Sequence, residues 1–311
     1  MDITTNIFNK LSRGTPSKMR QIFSMQAAAW AFSIIFYFCI DSLAFGSPFV
    51  QRIEPEKTDA SITNANTPHI VISEGRKADE LLFVWLTGTG GMPDSAAWPM
   101  FDTAVGAGYD VVALSYIDTP AVAQLCRDEN VAKDPDCAAH FRQKRSFGDN
   151  VSPLISDQPQ DAIVHRLTAL LKYLESRDST GRWNSYLENG EPKWGRIVLA
   201  GQSQGGGMAA FIAKQKHVAG VMDFSGGWDM SGPGKIAKWY SNPSATPPEV
   251  WYGTYGAKEP DAKAIADSYA AMKIPKAHLF PLNRPTKFDA HGAGSADPVY
   301  QDIWVQMLQH K

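Results

Sequence analysis

Cysteine is scarce in this 311-residue chain: there are three, and none stands in a Cys-x-x-Cys pair. No two of the seven histidines are four residues apart either, so the usual spacings of a zinc site are missing. Neither sign of charge dominates, with 30 Lys and Arg against 32 Asp and Glu and a formal net charge of −2. A basic face for nucleic acid is therefore not expected. Long apolar runs are lacking as well: Ala27–Ile40 covers 14 residues and stops at Asp41, short of the ~20 needed to span a bilayer. No internal repeat or low-complexity tract is present. What remains is 44% hydrophobic and 20% charged residues, the composition of a soluble, enzyme-like globular domain with room for a full-sized core.

The short apolar run has a function of its own. Lys10, Arg13, Lys18 and Arg20 precede it, and Ser42-Leu43-Ala44-Phe45-Gly46 after it offers small residues at alternating positions to a signal peptidase. Residues 1–46 are thus expected to be a secretory signal cleaved after Ala44 or Gly46, with a membrane anchor as the competing reading. Met19-Arg20 is itself a conventional signal start, which marks residues 1–18 as a candidate over-extended start. The mature chain is expected in the periplasm or outside the cell, without a stable membrane span. Cys39 falls inside the signal, leaving Cys126 and Cys137, 11 positions apart in a polar segment. An even pair in an exported chain is expected to form a disulfide. Residues 47–68 are rich in charge and amide side chains, and read as a flexible lead-in.

From residue 69 to 311 short apolar runs alternate with helical patterns. The runs His69–Ile72, Leu81–Leu86, Tyr109–Leu114, Arg196–Ala200, Val218–Phe224, Val250–Thr254 and Ala277–Leu282 are largely continuous, as strands buried on both faces of a parallel sheet should be. Ile163, Leu167, Leu170, Leu171 and Leu174 share one helix face. A last helix is signalled by Asp297 as cap, Pro298 in the first turn, and Val299, Ile303, Trp304, Met307 and Leu308 on one side. The fold class is α/β, a doubly wound, mostly parallel sheet. Two connections, residues 117–158 and 226–248, are long enough to be covers over a site.

Gly201-Gln202-Ser203-Gln204-Gly205 joins one of these strands to a helix-like run. Strand, Gly-x-Ser-x-Gly and helix together are the pattern of a nucleophile elbow, in which residues two before and two after the serine nearly touch. A serine nucleophile needs a base, and the base an orienting carboxylate, which in this arrangement follow in the order Ser, acid, His. Of the histidines after Ser203, His217 ends the helix behind the elbow, His278 lies in a strand pattern and His310 is penultimate. His291, in the loop Phe288–Gly294, is the candidate base. Glu259, Asp261 and Asp229 each follow a strand and are candidate acids. Oxyanion donors are expected from the Gln204 N–H, directly after the serine, and from Thr87-Gly88-Thr89-Gly90-Gly91, with Thr89 preferred and Gly90 the alternative. A phosphate loop is the rival reading of these glycines, but no Gly-Lys-Ser/Thr ending follows.

With these residues in view, the chain from about residue 69 onward resembles the α/β-hydrolase superfamily, especially its exported, esterase- and lipase-like serine hydrolases. The resemblance rests on Leu86–Gly91, on the strand from Gly108 to Tyr116, on the cysteine-containing excursion and on the elbow. It implies an α/β-hydrolase sheet with short cap loops, and it puts the acid at Glu259, where Asp is commoner. Thr87 stands where the superfamily often has His. The implied activity is hydrolysis of a small-molecule or polymeric carboxylic ester through a Ser203–His291–Glu259 triad and an acyl-enzyme, without metal or organic cofactor. An amidase or peptidase on the same triad, and a degenerate hydrolase that only binds ligand, are the alternatives.

Overall fold

The computed structural model describes residues 49–75, 80–95, 97–178, 180 and 182–309. The expected signal, residues 1–46, and His310 lie outside the described residues.

Eight strands form the central sheet: β1 (Phe49–Ile53), β2 (His69–Ser73), β3 (Leu82–Leu86), β4 (Asp110–Leu114), β5 (Ile197–Gln202), β6 (Gly220–Phe224), β7 (Trp251–Gly256) and β8 (Leu279–Leu282). Their order is β1-β2-β4-β3-β5-β6-β7-β8. From β4 to β8 every pairing is parallel, while β2 runs antiparallel to β4 and β1 antiparallel to β2. All seven runs expected to be strands are strands of this sheet.

Side-chain alternation divides the core in two. On β3, Val84 and Leu86 face one layer together with Leu199, Leu170 and Phe141. Phe83 and Trp85 face the other, with Val198, Phe101 and Trp304. The helices follow suit. Those on the first face include α4 (Cys137–Phe147), α5 (Ile163–Arg177), α6 (Gln204–Gln215) and α7 (Ala262–Ala271). On the second lie α1 (Trp98–Gly106) and the terminal α8 (Gln301–Met307), whose approach is capped by Asp297 Oδ1 accepting the Val299 N–H at 3.0 Å.

Two expectations are corrected. The lead-in at 47–68 is not flexible where it is described: Phe49–Ile53 is an edge strand paired over five residues with β2, and Pro55–Thr58 makes a helical turn. Arg52 on the edge strand and Glu56 and Lys57 on the helical turn are exposed, which gave the segment a disordered composition. The excursion after β4 is not a loop either. It holds α2 (Val122–Leu125), α3 (Asp128–Lys133) and α4, and Val122, Val131, Phe141 and Ile155 anchor it in the core. The cysteines form the expected disulfide, with Cα atoms 5.6 Å apart. The basic cluster of α4 points inward. Arg142 pairs with Asp229 and Arg145 with Asp157, while Lys144 donates to Asn150 Oδ1 and Ser152 O. No helix among the described residues is long and apolar enough to cross a membrane.

Candidate active site

Strand β5 ends and α6 begins around a single residue, Ser203. Its backbone is held at φ 57° and ψ −122°, where an L-residue sits only under strain. The turn leaves no room for neighbouring side chains. A Cβ on Gly201 would stand 2.4 Å from the Gly205 carbonyl carbon, and one on Gly205 2.1 Å from Leu86 O. Both motif glycines are therefore required by contact. Ser203 N–H donates to Phe224 O at 2.8 Å, tying the turn to the tip of β6. The first closing bond of α6 runs from Gly207 N–H to Ser203 O at 3.1 Å. The Gln204, Gly205 and Gly206 N–H groups thus belong to the open, positive end of the helix.

The loop after β3 closes the other side. A Cβ on Gly88 would meet Gln202 Oε1 at 2.3 Å and Ser203 Cβ at 3.2 Å, so the backbone at Gly88 lies directly against the elbow. Tyr116 Oη donates to Thr87 O at 2.6 Å and holds that loop in place. Thr89, Ser203 and Gln204 line one small cavity. Burial raises the Asp118 carboxyl above its usual range, opposed by hydrogen bonds from Thr119 and from the Gly90 N–H. Thr89 borders the cavity at the serine, and the Gly90 N–H is drawn toward Asp118. The Gln204 side chain joins the elbow to the excursion: its Oε1 accepts the Val122 N–H at 2.8 Å, and its Nε2 donates to Asp118 O.

His291 is carried by the connection after β8. Asp289 Oδ1 accepts the N–H groups of His291 at 3.0 Å and Gly292 at 2.8 Å, a local turn that fixes the loop. Gln202 Nε2, beside the nucleophile, donates to His291 O at 3.3 Å. The ring Nδ1 meets Glu259 Oε2 at 2.5 Å, and the Glu259 side chain is only 2% exposed. The other carboxylate oxygen, Oε1, accepts from Ser225 Oγ at 2.8 Å and from the Gly256 N–H at 2.7 Å. Glu259 so held fixes the Nδ1–H tautomer of His291 and leaves Nε2 as the basic nitrogen. Trp228 stands edge-on to the imidazole, with centroids 5.2 Å apart and planes at 80°. Among the described residues no hydrogen bond joins Ser203 Oγ to His291. Such bonds are often long until substrate is bound.

The structure sorts the alternatives. Asp261 is exposed at the start of α7. Asp229 gives both its oxygens to Arg142 and one of them also to Trp239 Nε1. His217 is exposed, and His278 Nδ1 pairs with Trp251 O at 3.1 Å. Sequence reasoning missed Ser225, Trp228 and Asp289. Ser225 had a usable signal, since it directly follows a strand at the carboxyl end of the sheet, where the site of an open α/β fold lies. Asp223 was hidden inside the apolar run of β6. Its carboxylate lies under the elbow, where a Cβ on Gly206 would strike Oδ1 at 2.3 Å, and burial pushes its pKa up to about 7.

Parallel strands with two antiparallel ones at one edge, and a strained serine at a strand-to-helix elbow, decide the architecture. It is of the α/β-hydrolase type. No protein-family model and no curated protein matches the chain. Among solved structures it is similar to a bacterial heroin esterase, at 14% identity over 87% of this chain and 85% of that one, with a TM-score of 0.46. A dienelactone hydrolase from Anabaena variabilis is similar at 13% identity over 85% and 99% of the two chains, TM-score 0.45. An esterase from Pseudomonas putida is similar at 14% identity over 86% and 82%, TM-score 0.44. At such values the chemistry of the present chain is read from its own residues.

Proposed function

We propose that this chain is an exported serine hydrolase that cleaves carboxylic esters, with Ser203 as nucleophile, His291 as base and Glu259 as orienting acid. The observation that carries the reading is the 2.5 Å contact of Glu259 Oε2 with His291 Nδ1, beside a serine held at φ 57°. Glu259 Oε1 is anchored by Ser225 and Gly256 while Oε2 is aimed at one imidazole nitrogen, the arrangement of an orienting acid, and strain like that of Ser203 persists where function needs it.

In this reading His291 Nε2 takes the Ser203 Oγ proton as Oγ attacks the ester carbonyl carbon. The carbonyl oxygen, becoming an oxyanion, faces the Gln204 and Thr89 N–H groups. The imidazolium, stabilised by Glu259, returns the proton to the leaving alcohol oxygen as the C–O bond breaks. Water, deprotonated by His291, then attacks the acyl-Ser203 carbonyl, and the imidazolium returns that proton to Ser203 Oγ as the acyl C–O bond breaks and the acid leaves. Export follows from the basic residues, apolar run and small-residue site at 1–46.

The test is fluorophosphonate labelling and p-nitrophenyl ester hydrolysis by the purified protein and by Ser203→Ala. Labelling at Ser203, with a loss on the order of a millionfold in the variant and unchanged melting, is the expected result. Retention of more than a few per cent of activity in the variant removes the nucleophile. Amide cleavage is the competing chemistry, and matched anilide and ester substrates separate the two. Absence of both labelling and turnover would leave a binding protein.

A further inference from the structure

Two open spaces adjoin the elbow, with Thr89 in the wall of both, and they differ in kind. On the side of the His291 loop lies a cavity of about 220 Å³ lined by Gln202, Thr87, Ser95, Phe288 and Asp289. The second is a throat of only about 30 Å³ between Ser203, Gln204 and Thr89 and the residues Val122, Ala123 and Trp228. It opens into a groove of about 770 Å³ between the disulfide-bearing excursion and the loop 228–234. Throat and groove share Val122, Ala123, Trp228 and Asp229 and so lie side by side, the throat at the nucleophile and the groove beyond it. Val131, Ala132, Pro135 and Met230 make the groove walls largely apolar.

The direction of the reaction assigns an occupant to each space. The leaving oxygen must face His291, which reprotonates it, so the alcohol part lies in the cavity beside the His291 loop. The acyl substituent points the other way, past Gln204 and Thr89 into the throat. A space of about 30 Å³ admits about one or two waters, hence a single file of methylenes but no branch beside the carbonyl. Charge in its wall is spent: the Asp229 carboxylate and Arg142 guanidinium answer each other through two hydrogen bonds of 2.6 and 2.7 Å. The charged residues of the groove, Arg127 and Asp128, lie 3.8 Å from each other and are largely exposed to solvent. Beyond the throat the groove offers apolar surface for several more carbons.

We propose that the preferred substrates are esters of unbranched, medium-length aliphatic acids, the acyl chain threading the throat at Ser203 and lying in the groove walled by α3 and Trp228. The proposal rests on the esterase reading above. It is tested with p-nitrophenyl acetate, octanoate and 2-ethylhexanoate, the last two being isomers. Each kcat/KM is divided by the rate of the same ester with hydroxide, to remove intrinsic reactivity. Octanoate is expected to exceed acetate by about tenfold or more, from burial of the added methylenes, and 2-ethylhexanoate to fall about tenfold or more below octanoate. Ala132→Trp on the groove wall, and independently Ala123→Trp at its mouth, should lower the octanoate-to-acetate ratio about fivefold or more. Thermal melting reports whether each variant is folded. Equal rates on acetate and octanoate, or a ratio unmoved in both variants, would overturn the acyl groove while leaving Ser203-dependent esterase activity standing. Failure to hydrolyse any of the three esters would instead overturn the esterase reading and the groove together.

Discussion

Arg142 and Asp229 meet through two parallel hydrogen bonds, Nε to Oδ2 at 2.6 Å and Nη2 to Oδ1 at 2.7 Å, with side chains 3% and 4% exposed. The pair joins α4 of the excursion to the loop that carries Trp228, and Arg142 also donates weakly to Gln204 O at 3.4 Å. One ion pair thus ties together three of the segments around the nucleophile. Removing one partner of such a pair strands a buried charge, which costs about 3–5 kcal/mol. Asp229→Ala should therefore lower the urea unfolding free energy by about that amount. A loss under about 1 kcal/mol would show the pair to be incidental.

Glu259 answers to a different measurement. Glu259→Gln keeps the shape but cannot hold the His291 tautomer or support its positive charge, so kcat should fall by as much as about ten-thousandfold. Asp261→Asn, at an exposed helix start, should leave kcat within a few-fold of the parent. Steady-state kinetics on one ester decides it, and the reverse order of damage would move the acid to Asp261.

The parallel sheet was legible because strands buried on both faces read as unbroken apolar runs, as Leu82-Phe83-Val84-Trp85-Leu86 does. The strand-to-helix turn at Ser203 and the pairing of His291 with Glu259 were legible through spacing and chain order. Phe49-Val50-Gln51-Arg52-Ile53 was not, since an edge strand exposed along most of its length carries little of that signal. The helices of the excursion hid for another reason. Arg142 and Arg145 look like surface charge until their partners, Asp229 and Asp157, arrive from distant or irregular segments. Ser225 and Trp228 belong to the site only through folding, because nothing local to them points to Glu259 or His291.

Export and the disulfide make one joint prediction. Protein from the native host should begin after Ala44 or Gly46 and show Cys126 and Cys137 protected from alkylation until reduced. Replacing both by serine should lower stability by up to about 3 kcal/mol, the chain-entropy value for so short a loop. Because Cys126 also lines the proposed acyl groove, selectivity among acyl chains should loosen more than turnover of acetate falls. Mass spectrometry showing an unprocessed N-terminus with two free thiols would refute the export reading and the bridge together.

Acid stability depends on two buried groups that work against each other. His69 is fully buried on β2, its Nδ1 accepting the Ser115 N–H at 2.9 Å while its Nε2 has no partner among the described residues. Burial, reinforced by Arg166, lowers its pKa to about 3 from 6.5. Between those values the unfolded chain holds a proton that the native state refuses, so stability falls with falling pH, by about 1.4 kcal/mol per pH unit. Asp223 is fully buried on β6, with the Tyr269 hydroxyl and the Gly226 N–H as its polar neighbours. Burial raises its pKa to about 7 from 3.8. Here the native state holds the proton that the unfolded chain has released, and stability rises as pH falls from about 7 toward 3.8 at the same rate. Across pH 6 to 4.5 the two slopes cancel in the parent protein. Asp223→Asn should expose the histidine term, with a loss of about 2 kcal/mol between those two pH values beyond any loss in the parent. His69→Asn, whose Oδ1 can accept the Ser115 N–H, should show the opposite trend and gain stability over the same interval. Urea titrations of the three proteins at pH 6 and 4.5 measure this directly, and parallel pH dependences in all three would show that neither group titrates as its burial requires.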